Sequence, residues 1–392
     1  MVATASGRFL VTYKLRVPAN EVHARARALA LEQSIEMPLE AVAQPFVREH
    51  IVARVEAIRP PTAGDPDGFE VALSLATRTT GLEAGQTLNM LFGNCSLQSE
   101  VELVDFEPPP ELLQALPGPR FGVHGWRQSL GLQYEHARPL TCTALKPQGL
   151  SPPELAELAG TLASAGIDVI KDDHGIADQD YAPFSQRVAL VQRAIERAGG
   201  EHRRPERALY APTLSGGPRR LRQQLQVVRG EGVGAVLVCP MLCGVPSLVE
   251  LVREEAGVPI LAHPALAGRV RIAPALLLGR LFRMFGADAT IFPNFGGRFS
   301  YDRATCRAIA QRAREPLGVM APILPVPAGG MSIERVDEMV AEFGTDAMLL
   351  IGGNLLMGAA APGDSVFQRA AAFVERVHAA AALRRAATGV TE

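Results

Sequence analysis

After residue 139 the chain repeats one pattern eight times: a short apolar run, a turn rich in Gly, Pro or Asp, and a helix-length amphipathic stretch. The runs are LTCTAL, GIDVI, RALYAPT, AVLVCPM, PILAHP, ADATIF, PILPVPA and AMLLIGG. Continuous apolar runs without alternation are what strands buried on both faces require, and interposed helices make those strands parallel. An open doubly wound sheet shares the alternation. Eight units in about 260 residues without a long insertion fit closure better, so the pattern predicts an α/β fold with a (β/α)8 (TIM) barrel.

The residues before the barrel read differently. Phe9–Val17 alternate as a half-buried strand, and Val22–Leu31 carry apolar residues at helical spacing. HIVARVEAI and FEVALSLAT read as two strands, a short helix follows near Thr87, and Val101–Phe106 read as a strand. The order βαββαβ predicts a small α+β, ferredoxin-like domain that ends at the prolines Pro108, Pro109 and Pro110. The boundary falls within 108–122, giving an N-terminal domain of 1–115 and a barrel domain of 116–392. A length of 392 residues with 47% hydrophobic content supports one large core and one smaller one.

Composition narrows the partners. The 39 basic side chains nearly balance the 41 acidic ones, so no long-range field draws nucleic acid or an anionic membrane. No run approaches the roughly 18 apolar residues of a membrane span, and the first residues lack a signal-peptide layout, so a cytoplasmic protein is expected. Cys95, Cys142, Cys239, Cys243 and Cys306 are read as reduced, buried thiols, because the Cys239/Cys243 pair has no further ligands at zinc-site spacing.

Barrel chemistry sits just past the C-terminal ends of the strands. Here those ends carry Lys146-Pro147-Gln148, Lys171-Asp172-Asp173-His174, His263-Pro264, Pro293-Asn294-Phe295-Gly296-Gly297-Arg298, Ala328-Gly329-Gly330 and Gly352-Gly353-Asn354. Each pair, Gly329/Gly330 and Gly352/Gly353, is either a plain exit turn or a backbone cradle for an anion, and their occurrence after strands seven and eight together favours a phosphate. The KDDH segment is either a solvated helix-capping turn or a charged cluster around a divalent metal. His263 is either a buried structural imidazole or an acid/base group.

These motifs, in this order, resemble the RuBisCO large-subunit superfamily over nearly the whole chain. The superfamily's strand-one Lys-Pro-x matches Lys146-Pro147-Gln148, its Gly-x-Asp-x-x-Lys-x-Asp-Glu matches Gly166–His174, and its Ser-Gly-Gly and Gly-Gly match 328–330 and 352–353. Glu32 in ALEQS and Asn94 in FGNC resemble two residues that the family lends to a neighbouring barrel, which implies a homodimer; on their own they also read as a helix-surface charge and a turn residue.

The resemblance implies a magnesium ion held by Lys171, carbamylated by CO2, and by Asp173. At position 174 a histidine replaces the family's glutamate, so the third donor becomes an imidazole, a water or nothing. Other departures argue against carbon fixation. The mobile-loop lysine becomes Arg298, a second lysine becomes Gln148, and three anion ligands of the distal phosphate become Pro264, Ile291 and Ala328. The proximal glycines stay. The likeness is therefore to the RuBisCO-like proteins, form IV, acting on a small substrate with one phosphate.

Implied chemistry is a metal-stabilised enediolate, with Lys146 moving protons, His263 assisting or orienting, and Arg298 gripping a substrate carboxylate. Among the activities of such proteins, the favoured expectation is 3-oxo-isoapionate 4-phosphate decarboxylase or transcarboxylase/hydrolase, a lyase. The alternatives are a 2,3-diketo-5-methylthiopentyl-1-phosphate enolase, a methylthioribulose phosphate isomerase, or a silent homologue that only binds a phosphorylated ligand.

Overall fold

The computed structural model describes residues 7–62, 64–66, 68–132, 138–201, 208–252, 256–297, 299, 301–357 and 364–388. Two compact units result, Met1–Pro117 with Leu266–Leu277, and Gly118–Ala265 with Leu278–Glu392. Leu266–Leu277, which chain order alone gives to the barrel, thus groups with the first unit. Backbone bonds tie it there: Leu103 N–H donates to Arg271 O at 2.9 Å, and Ala273 N–H to Leu103 O at 2.8 Å.

The first unit is an antiparallel sheet of β1 (Arg8–Arg16), β2 (Arg54–Arg59), β3 (Gly68–Ala76) and β4 (Val101–Glu107), in the order β2-β3-β1-β4. With helices Val22–Glu32 and Ala84–Phe92 in the connections, this is the expected βαββαβ arrangement. Alternation along β1 puts Phe9, Val11, Tyr13 and Leu15 in the core, and the helix brings Val22, Ala26, Leu29 and Ala30 on one face. One boundary differs from expectation. Residues 47–51 form a wide helical turn, closed by Val52 N–H donating to Val47 O at 3.0 Å, so the strand read from His50 starts only at Arg54.

In the second unit each of the eight runs gives one strand, with β6 and β10 extending past GIDVI and ADATIF: β5 (Leu140–Leu145), β6 (Val169–Asp172), β7 (Leu209–Ala211), β8 (Val236–Val238), β9 (Ile260–Ala262), β10 (Ala289–Pro293), β11 (Leu324–Ala328) and β12 (Met348–Leu350). All pair in parallel, in the orders β12-β5-β6-β7 and β11-β10-β9-β8. A bridge between Thr213 and Leu237 joins β7 to β8, and β11 lies beside β12, which closes the ring. The second unit is the expected barrel and the first the expected small α+β domain.

Inward-facing residues fill the barrel. Leu140, Cys142, Val169, Leu209, Ala211, Leu237, Leu261, Ala289, Ile291, Leu324, Val326, Met348 and Leu350 form one buried cluster. Val123, Trp126 and Leu130 from the helix Gly122–Ser129 and its end join it beside the first residues of the strands. This helix is tied down by Asp288, whose carboxylate accepts the N–H groups of Phe121 (2.6 Å), Gly122 (2.8 Å) and Ile260 (2.9 Å).

Burial pushes the Asp288 carboxyl up to about 6, against the opposing pull of those N–H donors. A raised carboxyl pKa means that the folded state holds more protons than the unfolded one between the ordinary aspartate value of 3.8 and about 6, so this contribution to stability falls as pH rises through that window. Asp288→Asn removes the titration. Urea unfolding at pH 4.5 and 7 is expected to show the wild type losing about 2 kcal/mol relative to the variant. A pH-independent difference overturns the assignment.

Candidate functional site

Strand geometry explains which side chains reach the barrel mouth. Residues two apart share a face, so the parity of the barrel core continues outward past the strand ends. From Cys142 it runs through Ala144 to Lys146, from Val169 through Lys171 to Asp173, and from Leu237 to Cys239. It leads likewise from Leu261 to His263, from Val326 to Ala328, and from Leu350 to Gly352. Lys146, Lys171, Asp173 and His263 are therefore the next inward positions of the strands that build the core.

The geometry brings several of them together. Lys146 Nζ lies 2.5 Å from Asp173 Oδ2, His174 Nδ1 lies 3.3 Å from Asp173 Oδ1, and Gly175 N–H donates to that same oxygen at 3.0 Å. The rings of His174 and His263 stack with centroids 4.1 Å apart and planes 10° from parallel. His263 Nδ1 accepts the Ala265 N–H at 3.2 Å, so the proton of the neutral ring belongs on Nε2. An added Cβ on Gly175 would fall 2.0 Å from Gln148 Nε2, and one on Gly352 would lie 3.9 Å from Lys146 Cε. Gln148 and Gly352 thus flank the same cluster.

Lys171 is buried, and its Nζ donates to Asp172 O at 2.9 Å. Burial lowers its pKa; nearby Cys142 and Asp173 oppose this and Lys146 adds to it. Asp173 lies well below the usual carboxylate range: burial works to raise it, and the bonds from His174, Lys146 and the Gly175 N–H outweigh that. His263 is pushed down to about 2 by burial, with Lys171, His174 and Lys146 adding positive charge nearby.

Asp172 has the opposite parity and points out of the barrel. Its carboxylate accepts from Tyr210 Oη (2.8 Å), Thr213 N–H (3.0 Å) and Arg187 Nε (3.2 Å), with Arg187 fully buried. Thr213 Oγ1 in turn donates to Asp173 O at 3.1 Å, so this network fixes the backbone that carries Asp173. Sequence reasoning missed Asp172, Arg187 and Tyr210, whose partners are far apart in the chain. It also missed Cys239, buried near Lys171 and Asp173, which the parity of Leu237 would have found; burial pushes its thiol up to about 11.

The glycine loops pack backbone on backbone. Gly329 and Gly330 have φ of +75° and +69°, and an added Cβ on Gly330 would lie 2.2 Å from Gly297 Cα. Arg335 Nη1 donates to Phe295 O at 3.0 Å and Gly330 O at 3.3 Å, bridging the loops after β10 and β11. Gly353 opens the turn Gly353–Leu356, and a Cβ there would meet open space. Of the three positions that the resemblance assigns to a distal phosphate, Ile291 belongs to the core, Ala328 packs against it and Pro264 is half-buried. Arg298 lies outside the described residues. Glu32 and Asn94 lie in the first unit, where Asn94 Nδ2 donates to Glu32 Oε1 at 3.1 Å.

Among the described residues, no three His, Cys, Asp or Glu side chains converge as a metal cage. Asp173 Oδ1 and His174 Nδ1 do stand 3.3 Å apart, close to the roughly 3 Å that separates neighbouring donors on one ion at about 2.1–2.2 Å. A third anionic donor would have to come from a modified Lys171. Among the described residues, no helix is long and apolar enough to cross a membrane.

A (β/α)8 barrel with a lysine- and aspartate-lined mouth, preceded by a ferredoxin-like domain, defines the architecture of the RuBisCO large chain. Residues 122–270 match the family model of the ribulose bisphosphate carboxylase large chain, catalytic domain. The chain is 50% identical over 372 residues to ribulose bisphosphate carboxylase-like protein 1 of Rhodopseudomonas palustris, covering 95% of this chain and 98% of the relative. It is 47% identical over 378 residues to the 5-methylthioribulose-1-phosphate isomerase of Rhodospirillum rubrum, covering 95% and 97%. The crystal structure of a Rubisco-like protein from Rhodopseudomonas palustris superposes with a TM-score of 0.86 at 46% identity, covering 95% of this chain and 98% of that one. This chain belongs to the RuBisCO superfamily, among the RuBisCO-like proteins.

Proposed function

We propose that the protein isomerises a 5-methylthioribulose 1-phosphate-type ketose, moving a proton between carbons next to the carbonyl. What supports this reading is that Ile291, Ala328 and Pro264, none of which can pair with an anion, occupy the positions that the resemblance gives to the ligands of a distal phosphate. An apolar thioether tail suits such a surface, whereas a second phosphate or a carboxylate there would be desolvated without a partner. The relative at 47% identity, named as that isomerase, supports the same substrate class. The keto-acid decarboxylase expected from sequence asks for a cation on a carboxylate, a role that rested on Arg298.

The residues have distinct tasks in this proposal. Gly329, Gly330, Gly352 and Gly353 offer backbone N–H groups to the single phosphate. Lys146 lies against Asp173 as an ammonium; with Asp173 engaged by the ion and one proton given up to solvent, the neutral amine would take the proton from the carbon beside the carbonyl and return it to the neighbouring carbon, so no further reactant is needed. His263 presents Nε2–H to the substrate oxygen, and Gln148 orients a hydroxyl. The donor set fits a divalent ion once Lys171 is carbamylated. Burial helps here, because CO2 reacts with a neutral amine and burial favours that form. Carbamylated Lys171, Asp173 and His174 would hold the ion, which would polarise the carbonyl. Glu32 and Asn94, already bonded to each other, are read as the contribution of a second copy of the chain to each site of a homodimer.

Incubation with 5-methylthioribulose 1-phosphate, Mg2+ and bicarbonate in D2O, followed by proton and phosphorus NMR, tests the reading. An isomeric ketose phosphate carrying deuterium is expected. CO2 release from 3-oxo-isoapionate 4-phosphate, or enol absorbance from the diketone phosphate, with no isomer formed, would replace it. Phosphate-ester binding without exchange on any substrate would leave a silent binder.

A further inference from the structure

We infer that the divalent site of this protein takes a nitrogen donor from His174 and so favours ions such as Mn2+ and Co2+ over Mg2+, a step that rests on the carbamate-containing site proposed above. Three observations carry it. The first is that, among the described residues, one carboxylate alone, Asp173, serves the cluster: neighbouring Asp172 faces the other way, into its bonds with Arg187, Tyr210 and Thr213. The second is that His174 Nδ1 stands 3.3 Å from Asp173 Oδ1, and moving the ring proton to Nε2 turns that nitrogen into a lone-pair donor beside the carboxylate. The third is the stack on His263, which holds the exposed His174 ring in that orientation at 4.1 Å rather than leaving it free to turn into solvent. A hard, all-oxygen octahedron is what Mg2+ requires, and imidazole moves preference along the Irving–Williams order.

The test uses the full-length protein, stripped with chelator and supplied with bicarbonate but no substrate, so that it reads metal binding independently of the isomerase assay. Calorimetric titration with Mg2+, Mn2+ and Co2+ gives the affinity ratios, and electron spin-echo spectra of the Mn2+-loaded protein show whether nitrogen is bound. The wild type is expected to show imidazole nitrogen modulation. His174→Glu, at an exposed position that leaves the fold intact, should abolish the modulation and lower the Mn2+/Mg2+ affinity ratio about tenfold or more. Mn2+ bound without nitrogen modulation, or an unchanged ratio in His174→Glu, overturns the inference. No divalent ion bound with bicarbonate present overturns it together with the carbamate site, while leaving the substrate assignment to the NMR assay.

Discussion

Lys171→Met is expected to lower isomerase turnover by about 10³-fold or more while leaving the protein as stable as the wild type or more so. The two effects have opposite signs for one physical reason. In the unmodified protein Lys171 is a buried amine with one bond, to Asp172 O, and burial disfavours its charged form. Methionine has similar length and no charge, so it removes a desolvation penalty and keeps the volume. The same exchange removes the amine that a carbamate needs, and loss of a metal centre costs several kcal/mol of transition-state stabilisation. Urea midpoints in chelated, bicarbonate-free buffer and turnover in bicarbonate with metal, measured on one preparation, check both halves. Loss of turnover with a collapsed midpoint would make Lys171 structural. Retained turnover would remove the carbamate from the proposal.

That double role was only half legible in the sequence. The eight apolar runs are long and regular enough that burial on both faces leaves one reading, and all eight hold strands. The βαββαβ order of the first unit was equally clear, because β1 alternates and the helix Val22–Glu32 keeps one apolar face. Strand ends gave Lys146, Lys171, Asp173, His174 and His263 as a list, and the structure sets Lys146 and His174 on the two oxygens of Asp173. What sequence order hides is pairing through space. Arg187 and Tyr210 lie 15 and 38 positions from Asp172, and nothing local marks either as its partner. Leu266–Leu277 sits between two barrel strands in the chain yet bonds to β4, because backbone N–H and C=O groups find partners without regard to side-chain pattern. The glycines after β11 carry two demands at once, positive φ and contact with Gly297, so an anion-cradle reading from sequence could not separate packing from binding.

Asp172 and Arg187 give the second large effect. Both side chains are fully buried, so among the described residues Arg187→Leu leaves a carboxylate in the interior with only Tyr210 Oη and Thr213 N–H to satisfy it. Removing one partner of a buried pair typically costs about 3–5 kcal/mol. The guanidinium also donates to Ala182 O and Ala177 O, each at 2.7 Å, and those acceptors lose their donor too. Arg187→Leu is therefore expected to fall in that range by urea unfolding. Adding Asp172→Asn removes the stranded charge, and the amide can donate to Tyr210 Oη while its oxygen accepts the Thr213 N–H, so the double variant should regain a substantial part of the loss. Turnover under folding conditions separates support from mere stability, because Thr213 also bonds Asp173 O. Arg187→Leu should lower kcat with little change in KM, and the double variant should restore kcat along with stability. A double variant no more stable than Arg187→Leu would mean that the loops carrying Ala177 and Ala182, rather than the buried charge, set the cost.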